Sequence, residues 1–175
     1  MIGLSVYDEL VKTTYCEDRD IEYPPYTSYN DPNMADRCLL NNALPVVYTL
    51  KVVQASLNHE IAIALKDAFE KKKIELLIND SKGRDLLVEH DNLLKLSPQD
   101  QARLLAPYYT TTAMINEIIN LEYQINNGFI KIVEKSGARK DMYCSLAYLN
   151  YLAKMLEKDL LKPKTNKRKG LAIFW

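Results

Sequence analysis

Glycine is scarce in this chain: 5 residues of 175. Its only glycine–lysine neighbours are Lys82-Gly83 and Lys169-Gly170. Neither has the spacing of a loop that cradles nucleotide phosphates, so a nucleotide-driven motor of the Walker type is excluded. Cysteine is scarce too. Cys16, Cys38 and Cys144 are the only 3, and no two form a Cys-x-x-Cys pair. That argues against a disulfide framework and a zinc ribbon, and it fits a reducing cytoplasm. The 2 histidines, His59 and His90, lie far apart. A metal or nucleophilic site needs several convergent partners, so both read as structural or surface residues. No apolar run approaches the length of a bilayer crossing, so no membrane is expected. Asp8 and Glu9 near the start exclude a basic-then-apolar signal peptide. The formal net charge is zero, so the whole chain is not a general polyanion binder.

What is present reads as a folded protein. Hydrophobic residues make up 47% of the chain, an ordinary globular share, and the length fits one domain with a sizeable core. Charge is uneven. Glu17, Asp18, Asp20 and Glu22 cluster early, whereas Lys162, Lys164, Lys167, Arg168 and Lys169 cluster near the end. Residues 1–161 therefore read as the domain, and 162–175 as a basic, then apolar, tail.

Periodicity suggests the elements. Residues 3–15 read as a helix with Leu4, Tyr7, Leu10, Val11 and Thr14 on one side. Residues 16–45, with Tyr23-Pro24-Pro25-Tyr26 and Asn30-Asp31-Pro32-Asn33, read as a long irregular segment holding a short helix near Met34–Leu40. Val46–Val53 reads as a buried strand, and Ser56 as the cap of a helix with Leu57, Ile61, Ala64, Leu65 and Ala68 inward. Ile74–Ile78 reads as a second strand, which makes the span a βαβ crossover with a parallel pair. Ser97-Pro98-Gln99-Asp100 is a helix start. Pro107 is read as starting another helix, carrying Glu117 and Glu122 and stopping at Asn126-Asn127-Gly128. Phe129–Glu134 reads as a strand, Lys135–Ala138 as a turn, and 142–161 as a helix packed on two surfaces.

Arg139-Lys140-Asp141 stands between that strand and that helix. An acid at a helix mouth is commonly an N-cap. Flanked by two cations, it can also be a metal ligand beside a phosphate backbone. Residue types alone leave both readings open.

The segment Arg139-Lys140-Asp141-Met142-Tyr143-Cys144-Ser145-Leu146-Ala147-Tyr148-Leu149-Asn150-Tyr151 resembles the closing part of the nuclease domain of tailed-phage terminase large subunits. Ala55–Ala62 is similar to that family's helix after a central strand. Ala106–Tyr109 through Ile115–Glu122 is similar to the stretch leading to its last acid. Gly3–Leu10 is similar to the helix after its second acid's strand. The resemblance spans most of residues 2–161. It implies an α/β fold: an incomplete RNase H-like core, with a small, partly parallel sheet flanked by helices. It further implies that Asp141 is the last of three acidic ligands for Mg²⁺ or Mn²⁺, and that Arg139 and Lys140 neutralise phosphates. Lys164, Lys167, Arg168 and Lys169 would then hold double-stranded DNA in a phage-infected or prophage-carrying bacterial cytoplasm. Portal, small terminase subunit or the rest of the terminase are the implied partners. The first two acids and the ATPase of that family find no match here, so the chain reads as the C-terminal portion of such a nuclease. The alternatives are a non-catalytic module that docks DNA or a motor or portal protein, and a small free-standing phage protein.

Overall fold

The computed structural model describes residues 2–135 and 137–161. The tail lysines and arginine at 164, 167, 168 and 169 lie outside the described residues. The chain divides into two units, Met1–Val52 and Val53–Trp175.

The first unit begins with helix α1 (Ile2–Leu10), shorter than the expected 3–15 because Thr14 already belongs to a strand. Strands β1 (Thr14–Cys16) and β2 (Ile21–Tyr23) form an antiparallel hairpin around a 3-10 turn at Glu17–Arg19. Asp20, with φ 52°, closes that turn. The early acidic cluster therefore lies on this hairpin. β3 (Tyr26–Ser28) pairs in parallel with β4 (Leu44–Val47), and α2 (Pro32–Ala35) sits between them in sequence. Asp31 caps α2 by accepting the Asn33 N–H, with Pro32 at the first helical turn. Tyr7 is buried, and its hydroxyl donates to the Met34 carbonyl at 2.7 Å and accepts from the Ser28 N–H at 2.9 Å. One phenol thus joins α1, β3 and the α2 segment.

The second unit is mostly helical. α3 (Ala55–Glu70) buries Ile61, Ala64, Leu65 and Ala68, four of its five expected inward residues. α4 (Asp80–His90) and α5 (Pro98–Ile119) follow, then the hairpin β5 (Leu121–Asn126) and β6 (Phe129–Glu134), then α6 (Asp141–Leu161). α6 packs on α3 and on α5, and Ala147 at the α6 interface is fully buried. A second apolar cluster, Leu87, Leu93 and Leu105, joins α4 to α5. Gly83 sits against the Tyr108 ring, where a β-carbon would come closer than 3.0 Å to three ring atoms.

Several expectations are corrected. The α/β class holds, but among the described residues the strands form three two-stranded sheets, not one. The strand expected at Val46–Val53 ends at Val47. Ile74–Ile78 is not a strand: it has no hydrogen-bonded neighbour, and Leu76, Leu77 and Ile78 are exposed. Among the described residues the crossover around α3 is therefore absent, and the one parallel pair is β3–β4. Ser56 does not cap α3: Gln54 precedes the helix, without a side-chain cap. Pro107 lies inside α5, where the loss of one N–H is outweighed by the continuous helix on either side. Asn127-Gly128 is not a helix stop but the two-residue turn of the β5–β6 hairpin, with φ 50° and 80°. That is the positive-φ pair that Asn-Gly favours.

Candidate functional site

The strand, turn and helix expected around Asp141 are in place. β6 ends at Glu134, and α6 begins at Asp141. The Cys144 N–H bonds to the Lys140 carbonyl at 2.8 Å, so Lys140 is the backbone cap and Asp141 the first helical residue. Asp141 is exposed, and no described residue hydrogen-bonds to its carboxylate. It does not act as a side-chain cap. It still adds negative charge where the N–H groups of the first turn point outward.

The side-chain acceptor at this helix end comes from elsewhere. Glu117, near the end of α5, accepts the Tyr143 N–H on Oε1 at 2.7 Å. Glu117 and Glu122 do not share a helix, because α5 ends at Ile119 and Glu122 lies on β5. Nothing in the sequence marks Glu117 for this task, since the contact spans 26 positions.

The two cations before Asp141 differ. Arg139 is exposed and makes no ion pair with a described residue. Lys140 Nζ lies 3.2 Å from Glu134 Oε2, and both side chains are partly exposed. The Glu134 carboxyl is held below its ordinary range by its own backbone N–H and by Lys140. Two other acids are engaged too: Asp8 pairs with Arg37, and Asp80 accepts from Thr112 at 2.9 Å. Among the described residues, no three His, Cys, Asp or Glu side chains converge as a metal site. His59 is structural: its Nδ1 accepts the Ile130 N–H at 3.1 Å, and its ring stands edge-on to Phe129.

Next to this corner lies a cleft of about 390 Å³. One wall is the start of α6, where Cys144 and Tyr148, with Lys140 at the cap, recur at four-residue spacing and share a face, with Tyr143 beside them. The other wall is β6 from Phe129 to Ile132, and Asn58 and Ile61 of α3 contribute as well. Burial pushes the Tyr143 phenol up to about 12. Burial also raises the Cys144 thiol, only partly offset by the Tyr148 hydrogen bond and by Lys140. Cys144 is therefore a protonated thiol near neutral pH and not an activated nucleophile.

The hairpin register explains the cleft's chemistry. A two-residue turn makes Asn126–Phe129 a hydrogen-bonded pair, so Ile125–Ile130 and Tyr123–Ile132 are non-hydrogen-bonded pairs. The N–H groups of Ile130 and Ile132 consequently point away from β5. His59 takes the first. The second faces the outer edge of β6.

Among the described residues, no helix is long and apolar enough to cross a membrane. No protein-family model, curated protein or solved structure matches the chain.

Proposed function

We propose that the chain is the C-terminal portion of a metal-dependent endonuclease of the terminase type, acting in phage DNA packaging and contributing its last acidic ligand, Asp141. One observation supports the reading above others: Asp141 stands exposed and unpartnered among the described residues, at the first residue of a helix entered from a strand. A structural cap would be spent on backbone N–H groups; this carboxylate is not.

A hard divalent cation takes about six oxygen ligands. Asp141 supplies one carboxylate, and Glu117 and Glu134 are already engaged. In this reading the remaining acidic ligands for Mg²⁺ or Mn²⁺ come from another part of the nuclease. Arg139 is free to approach a phosphate of double-stranded DNA, Lys140 can do so by leaving Glu134, and Lys164, Lys167, Arg168 and Lys169 would extend the contact.

The test is cleavage. In a protein carrying the remaining acids, Asp141→Asn is expected to abolish Mn²⁺-dependent cutting with the melting temperature unchanged. Retained cutting with lost stability would make Asp141 structural. This chain alone is expected to be nearly inactive on supercoiled plasmid, because loosely held metals forfeit geometry and rate.

A second reading, a module docking DNA or a motor or portal protein without catalysis, is favoured by α6. Leu149, Leu156 and Leu160 form an exposed stripe on that helix, at 64%, 49% and 85% exposure. Contiguous apolar surface of this kind commonly marks a protein contact. Loss of portal or motor binding on Leu156→Glu, with folding intact, is the outcome that would favour it.

A further inference from the structure

We propose that the cleft between β6 and α6 binds a nucleoside monophosphate, either free or as the phosphorylated end of a nucleic-acid strand. The cleft's size falls in the range of small-molecule sites, which are mainly apolar with a few placed polar groups. Its lining includes no carboxylate, and its charged residues are Lys131 and Lys140. Strand alternation turns the Lys131 side chain to the opposite face from Ile130 and Ile132, so Lys140 brings the cation that a phosphate would meet.

The rest of the lining suits a flat, polar-edged ring. Tyr143 and Tyr148 on one wall and Ile130 and Ile132 on the other are apolar surfaces against which a base can stack. At the rim, the outward N–H of Ile132 and the amides of Asn58 and Asn126 offer donors and acceptors. A nucleobase edge alternates donors and acceptors in the same way. A simple inorganic anion would leave the aromatic wall unused, and an apolar ligand would make no use of the Lys140 charge.

Glu134 is the internal competitor. It holds Lys140 at 3.2 Å in the partly exposed pair described above. A phosphate carrying about 1.5 to 2 negative charges is the stronger partner. Binding should therefore move Lys140 from Glu134 to the ligand.

The inference does not rest on the nuclease reading, since Asp141 is not among the cleft's lining residues. The experiment is calorimetric titration of the full chain with AMP, adenosine and a 5′-phosphorylated dinucleotide. AMP is expected to bind about tenfold more tightly than adenosine, the size of one charge-assisted contact. Lys140→Ala should erase that difference, and Glu134→Gln should tighten AMP binding. A gain of affinity cannot come from misfolding. Asp141→Asn should leave AMP binding in place, which separates this site's failure from failure of the nuclease assignment. Dinucleotide binding as tight as AMP assigns the strand end as the source; loss of it assigns the free nucleotide. AMP should also slow alkylation of Cys144 on the cleft wall. No heat at millimolar AMP, equal binding of AMP and adenosine, or an unchanged Lys140→Ala variant would overturn the proposal.

Discussion

Glu117 and Tyr143 are joined by a 2.7 Å hydrogen bond from the backbone of one helix to the carboxylate of another. The bond ties the end of α5 to the first turn of α6, and it sets a negative charge where the α6 dipole is positive. Asp141, two positions earlier, is the first helical residue and does not cap the helix. Glu117→Ala is expected to cost about 1 kcal/mol in denaturant unfolding, the usual size of a lost cap. Glu117→Gln keeps an acceptor and should cost less. Because the Glu117 charge helps hold the Cys144 thiol up, the Gln variant should also react faster with iodoacetamide. Equal stability of the Ala variant and wild type would dismiss the cap.

Gly83 predicts a steric failure. Gly83→Ala sets a methyl against the Tyr108 ring in a packed α4–α5 interface. Overpacking of this kind costs about 1–3 kcal/mol. Tyr108→Leu in the same chain should recover part of the loss, since contacting sites couple. Additive losses in the double variant would mean that the two residues do not oppose each other.

Tyr143 predicts alkaline behaviour. Its folded phenol ionises near 12, against an ordinary 10.0. A raised folded value means that the stabilising contribution is complete below 10.0 and is lost as pH rises towards about 12. Unfolding free energy should therefore fall across that window, and Tyr143→Phe should flatten the fall. The flattening is partial, because burial raises Tyr148 and Tyr48 as well. A variant with the wild-type alkaline slope would exclude Tyr143 as its source.

The hairpin turn predicts a backbone effect without a clash. Gly128 has φ 80° and open space around its α-carbon. Gly128→Ala should destabilise by about 1 kcal/mol through left-handed strain alone. Gly128→Asn should cost less, because asparagine tolerates that region. If Ala and Asn destabilise equally, the turn does not hold that conformation in solution.

The tail predicts salt dependence. Removing residues 162–175, with Lys164, Lys167, Arg168 and Lys169, should weaken duplex binding and flatten its dependence on salt, because each phosphate contact releases counterions. An unchanged slope would remove the tail from any nucleic-acid interface.

Signals carried by one local segment were legible in the sequence. The inward face of α3, the Ser97-Pro98 start of α5, the strand at Phe129–Glu134 and the helix start at Asp141 all depend on neighbours within a turn or two. The failures share a physical cause. Ile74–Ile78 has strand-like residues, yet a strand exists only with a partner, and pairing is not a local property. Asn127-Gly128 supplies positive φ, which both a helix end and a hairpin turn require, so the residues alone do not choose. Pro107 by itself favours the first turn of a helix, and its place inside α5 is set by the helix that continues on both sides. At the candidate site, Asp141 and its two cations could be read in sequence. Glu117 and the cleft could not, because both arise when distant elements meet, and the Glu134–Lys140 pair depends on how the turn between β6 and α6 folds.

The Tyr7 hydroxyl in the first unit has a consequence for cooperativity. It serves the Met34 carbonyl and the Ser28 N–H at once, so α1, β3 and the α2 segment share one oxygen. Loss of any one of them strands the buried polar groups of the others, which raises the free energy of partial opening towards that of complete opening. The amides of β3 and of α2 should then exchange with solvent deuterium at a common rate. Tyr7→Phe, which keeps the ring and deletes the oxygen, should split that single rate into several.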